Sequence, residues 1–109
     1  MKVMLSQPMN GKSEEEIKAI REKAIKTLEG KGYEVINTYF DDEWTSPQSM
    51  DKNDIIQVPV FFIAKSLEAM SKCHAVYFCK GWERARGCRV EHQIATTYGL
   101  QMIYEKEEK

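Results

Sequence analysis

Apolar residues recur in this chain at two spacings, and the alternation between them predicts the architecture. Met1 to Leu5 is a short apolar run that reads as a buried strand. A loop follows, Ser6-Gln7-Pro8-Met9-Asn10-Gly11-Lys12, broken by Pro8 and Gly11. Ser13 then opens a helix, with Glu16 placed to complete a capping box. Ile17, Ile20, Ala24, Ile25 and Leu28 repeat at helical spacing, and Gly30 or Gly32 ends the helix. Residues 33–39 read as a second strand. Residues 40–54 are polar and acidic, contain Pro47, and have the character of a lid loop.

A second helix is predicted from Pro59 to Lys72, with Val60, Ile63, Ala64, Leu67 and Met70 as its buried face. A third strand, 74–79, leads through Gly81 into a third helix over 86–98, with Val90, Ile94 and Tyr98 as its core stripe. A fourth strand, 100–104, precedes a charged tail. The order βαβαβαβ predicts an α/β fold of three layers. The expected form is flavodoxin- or Rossmann-like, a mostly parallel sheet of four to five strands with helices on both faces. At 109 residues the chain is expected to form one domain, residues 1–109.

Composition narrows the function classes. A formal net charge of −1 supplies no global field for a nucleic-acid polymer or an anionic membrane surface. No apolar run approaches the ~20 residues of a membrane helix, and the N-terminal run is too short for a signal peptide. Cys73, Cys79 and Cys88 are an odd number without the spacing of a disulfide framework, which leads us to expect a reduced, cytoplasmic protein.

The candidate chemistry lies in the loop and helix after the third strand, from Gly81 to His92. Strand, glycine-bearing loop and helix together form the geometry that holds ligands at the carboxyl end of an open α/β sheet. Glu91 is flanked one turn away by Gly87 and Ala95, a face cleared of large side chains, and lies about 100° from Val90, at the edge of the predicted core stripe. A helical glutamate is ordinarily solvated. Arg84, Arg86 and Arg89 surround the start of this helix, where backbone N–H groups attract anions, although surface arginines commonly pair with nearby acids. Trp82 can stack on a planar ring or be a half-buried loop residue. The first loop offers hydroxyl and amide groups but neither G-x-G-x-x-G nor a P-loop pattern, so no cofactor is implied. Cys88 and His92, one helical turn apart, are a weak metal or nucleophile pair, and no metal site is expected.

Three segments carry a resemblance to a known family: Leu5 to Gly11, Lys65 to Lys72, and Gly81-Trp82 through Gly87 to His92. Over nearly its whole length the chain resembles the nucleoside 2-deoxyribosyltransferase-like superfamily. Within it, the chain looks closest to a small bacterial and phage branch of uncharacterised proteins, the domain-of-unknown-function 4406 type. The resemblance implies N-glycosidic hydrolysis or deoxyribosyl transfer on a deoxynucleoside or its 5′-monophosphate, with Glu91 as the nucleophile. It implies that Ser6, Gln7, Pro8, Met9, Asn10, Gly11, Ser66, Trp82, Arg86 and Gly87 line the substrate. It also implies a homodimer or larger homo-oligomer, and the apolar run Ile55 to Ile63 is a candidate interface. Two positions depart from the transferases. Lys65-Ser66 stands where they carry an aspartate, and Ala85 stands where they carry another acid. A non-catalytic nucleotide-binding module is the alternative expectation. A protein–protein adaptor, using Tyr39, Phe40, Trp44 and the 55–63 stretch, is a third.

Overall fold

The computed structural model describes residues 1–9, 11–36 and 54–106. Four strands, β1 (Lys2–Ser6), β2 (Glu34–Ile36), β3 (Ala75–Phe78) and β4 (Gln101–Tyr104), form one sheet in the order β2-β1-β3-β4. Every pairing is parallel. Among the described residues the helices are α1 (Glu14–Gly30), α2 (Val58–Met70) and α3 (Arg86–Tyr98), with a 3-10 turn at Trp82–Arg84. This is a mixed α/β fold with the first four positions of a flavodoxin-like strand order.

Side-chain alternation along the strands divides the core in two. Val3, Leu5, Ala75 and Tyr77 face one way and pack with Ala24 and Leu28 of α1. Met4, Val76 and Phe78 face the other way and pack with Met70 at the end of α2 and Ala95 of α3. Because both faces of β1 and β3 are covered by helices, these strands are apolar at nearly every position, as buried parallel strands are. The sheet lies between α1 and the α2–α3 pair, giving three layers.

The ends of α1 follow its sequence signals. The Ser13 hydroxyl accepts from the Glu16 N–H at 3.1 Å, and Glu14, Glu15 and Glu16 occupy the positive end of the helix dipole. Gly32, at φ 88°, ends it, with Tyr33 N–H returning to the Leu28 carbonyl at 3.1 Å. Glu14 and Lys18 form an exposed i,i+4 pair on this helix.

Two predicted helix faces are corrected. On α3 the buried residues are Cys88, Glu91 and Ala95, while Val90 is 38% exposed and Tyr98 74%. The helix is thus turned about 100° from its apolar stripe, and Glu91 sits at the centre of the buried face rather than at its edge. On α2, Val60 is 61% exposed and Ala64 is also exposed. Met70 is buried there, with Leu67 packed beside it. The second strand is also shorter than expected, Glu34–Ile36. Residues 37–39, the predicted loop through residue 53, Tyr39, Phe40, Trp44 and the last three residues lie outside the described residues. No helix among the described residues is long and apolar enough to cross a membrane.

Candidate active site

The strand order reverses between β1 and β3, so crossovers leave the sheet in opposite directions there, the place where open α/β sheets commonly hold ligands. Ser6, the last residue of β1, is paired in register with Phe78 and accepts the Cys79 N–H on its carbonyl at 2.9 Å. Alternation along β1 turns the Ser6 side chain to the α2–α3 side. There its hydroxyl donates to Glu91 Oε1 at 2.9 Å, and both residues are buried. Ser66 of α2 also directs its side chain at the Glu91 carboxyl group. One strand and two helices therefore converge on one acid.

Burial raises the Glu91 pKa from the usual carboxylate range to about 7, against the lowering effect of the hydrogen bonds from Ser6 and Ser66. Among the described residues no cation is paired with it. A carboxylate has about four acceptor positions. Two hydroxyl partners leave it with unused lone pairs, and near neutral pH it can hold or release a proton. Such a group can attack an electrophilic carbon as the anion or serve as an acid when protonated.

Cys88, one turn earlier on α3, is also buried. Its thiol is pushed up to about 11 by burial, partly offset by the Ser6 hydroxyl and reinforced by Glu91. The Cys79 thiol is pushed up to about 12, first by burial and then by Glu105 and Cys88. Both stay protonated at neutral pH and are poor nucleophiles. His92 does not serve Cys88. Its Nε2 lies 2.7 Å from the Tyr104 hydroxyl, and its ring stacks on Trp82 with centroids 4.1 Å apart. No group of three His, Cys, Asp or Glu side chains among the described residues is placed to hold a metal ion.

The other residues expected at the site have mixed placements. The Gln7 amide is engaged by the protein at both ends. Its Nε2 donates to the Ile17 carbonyl at 2.8 Å, and its Oε1 accepts from Arg21 at 3.5 Å. Pro8 is half-buried beneath Gly81, while Met9, Gly11 and Arg86 are exposed and Asn10 lies outside the described residues. Trp82 packs in an aromatic group with Phe78, His92 and Tyr104, so one face of its ring is covered by the imidazole. Gly87 faces α2: a Cβ there would meet Ile63 Cδ1 at 3.5 Å. The face that looks cleared in the sequence is thus filled by neighbouring elements. Gly87 permits the approach of α2, and Ala95 is wholly buried against the sheet.

Sequence reasoning missed Arg21, a charged residue only 6% exposed that supports Gln7 and sits close enough to Cys79 to lower its pKa. Its register was the available signal. Arg21 lies four residues after Ile17 and three before Ala24, on the inward stripe.

The profile of a family described as a domain of unknown function (DUF4406) matches residues 1–104. The chain belongs to that family. For this DUF4406 protein, no match was found among curated proteins, and none among solved structures. The matched residues include every element of the sheet and the whole Ser6–Ser66–Glu91 group.

Proposed function

We propose that this DUF4406 protein cleaves or transfers the N-glycosidic bond of a deoxynucleoside or its 5′-monophosphate, with Glu91 as the nucleophile. The observation that carries the reading is the buried Glu91 carboxyl group, held by hydroxyls at the carboxyl edge where the strand order reverses. Its likeness to the nucleoside 2-deoxyribosyltransferase-like superfamily supports the substrate class. The ionised Glu91 attacks C1′ of the sugar. The C1′–N bond breaks, and the base leaves with its electron pair and takes up a proton. Water, or the nitrogen of a second base, then attacks C1′ of the glycosyl ester and frees the carboxylate. Two displacements with lower barriers replace one, as in retaining glycosidases. The Ser6 hydroxyl orients the attacking carboxylate and stabilises it when the ester breaks.

A binding module without turnover is the second reading. It is favoured by Lys65-Ser66 and Ala85 at the two positions where transferases carry further acids, since departure of a base draws on a proton donor. Purified protein incubated with each deoxynucleoside and each 5′-monophosphate, followed by chromatography of free base, separates the two. Release that disappears in Glu91→Gln supports catalysis. Absence of Glu91-dependent release from any of them rules it out, and thermal stabilisation by nucleotides without release then supports binding alone.

The proposal extends to a homodimer or larger homo-oligomer in a reducing, cytoplasmic setting. Ile56 is 87% exposed and Val60 61%, at the start of a strongly apolar helix, and all three cysteines are free. Sedimentation at micromolar concentration tests the assembly, and a strictly monomeric mass rules it out.

A further inference from the structure

The sheet has a concave feature on the face opposite Glu91. A cleft of about 440 Å³ lies between α1 and the ends of β3 and β4. Tyr77 and Ile103, paired in register on neighbouring strands, line it from the sheet. Lys23 and Lys31 of α1 stand on one side, with Lys80 and Lys106 beyond the strand ends. Glu105 is the one acidic residue in the lining among the described residues. Among the described residues four lysines and one glutamate line the recess, an excess of positive charge on a chain whose formal net charge is −1.

The recess follows from the fold. Among the described residues α1 is the helix on this face; it covers β1 and β3, where Tyr77 is buried, and leaves the β4 edge beside it, at Ile103 and Tyr104, partly open. Parallel strands are ordinarily covered on both faces. The volume is that of a small-ligand site rather than of a missing helix. A low-dielectric floor beneath like charges concentrates their field and raises the local concentration of anions. The Tyr77 phenol is pushed up to about 12 by burial and by Glu105. It therefore keeps its proton and can donate a hydrogen bond.

We propose that this cleft binds a small organic phosphate carrying two or more negative charges, with the phosphates among Lys31, Lys80 and Lys106 and the apolar part of the ligand on Tyr77 and Ile103. The site is separate from Glu91 and does not depend on the catalytic reading. Calorimetric titration with ADP, inorganic tripolyphosphate and adenosine tests it, on the wild type, on Lys31→Glu/Lys106→Glu and on Glu91→Gln. Both lysines are exposed, so their reversal leaves the core intact. ADP is expected to bind the wild type with an affinity that falls steeply with salt, more tightly than tripolyphosphate, and adenosine is expected not to bind there. The double reversal is expected to weaken ADP by about a hundredfold, whereas Glu91→Gln changes it less than about twofold. The proposal is overturned by absent ADP binding at millimolar concentration, by ADP binding that survives the reversal, or by binding that is lost in Glu91→Gln instead.

Discussion

The Ser6 hydroxyl donates to Glu91 Oε1 across 2.9 Å, joining the end of the first strand to the second turn of the last helix, 85 residues later. The bond is buried at both ends. It pins α3 to the central strand and supports one charge state of the acid, the ionised one.

Ser6→Ala should therefore act in a pH-dependent way. With the hydroxyl gone, the buried carboxylate loses a donor, and its pKa moves above about 7. Above that pH the loss of stability should be about 2 kcal/mol, the cost of an under-satisfied buried charge, and about 1 kcal/mol at pH 5, where Glu91 is protonated. Urea unfolding at the two pH values measures the difference. Equal losses at both would show that the hydroxyl does not discriminate between charge states.

The pH dependence of the wild type has a definite sign. Glu91 binds its proton more tightly in the folded state, with a pKa of about 7, than at its ordinary value of 4.5. Its contribution to stability is complete below 4.5 and is lost as pH rises through about 7. The gap corresponds to about 3 kcal/mol. Glu91→Gln removes the titration, so the variant should lose little stability between pH 5 and pH 8 and should exceed the wild type at pH 8. Denaturant unfolding across that range tests this, and parallel curves for the two proteins would refute it.

The legible and illegible parts of the chain divide along a physical line. β1, β3 and the limits of α1 and α3 could be read because apolar runs, Ser13 and the positive-φ Gly32 and Gly99 each express a local requirement. Strand order, and the approach of Ser6, Ser66 and Glu91 to one another, depend on contacts distant in sequence. On α2 the inward Leu67 and Met70 were legible while Val60 and Ala64 prove exposed, and on α3 Ile94 was legible but the centre of the face was misread for one reason. The buried positions of α3 include Glu91, which scores as polar, while Val90 and Tyr98 score as apolar and are exposed. Arg21 and Gln7 were obscured in the same way, since each is buried with a polar partner that only the fold supplies. Polarity periodicity finds faces that bury hydrocarbon, not faces that bury paired polar groups.

Gly87 offers a test of the α2–α3 contact. The Cβ of Gly87→Ala would lie 3.5 Å from Ile63 Cδ1, an ordinary contact, and alanine is the better helix former. We expect Gly87→Ala to be neutral or stabilising by up to about 1 kcal/mol. Gly87→Leu adds three carbons beyond a Cβ that already touches Ile63 Cδ1 at 3.5 Å, and should cost about 1–3 kcal/mol by pressing on α2. Thermal unfolding of the two variants checks the order. Equal stability would mean that the helices separate freely at this point.

The rate profile of base release carries the chemical assignment. A nucleophilic Glu91 reacts only as the carboxylate, so kcat/KM should rise with pH and level off above about 7. Ser6→Ala should move the inflection upward, because the hydroxyl favours the ionised form, and Glu91→Gln should abolish release. A deoxynucleoside is the better substrate for this measurement than a monophosphate, whose own second ionisation lies near pH ~6 and would overlap the inflection. If Glu91 instead gave a proton to the departing base, the profile would fall through the same pH. Ser6→Ala would then extend activity toward alkaline pH. The direction of the limb therefore decides between attack and protonation, and its displacement by Ser6→Ala ties the limb to Glu91 rather than to another titrating group.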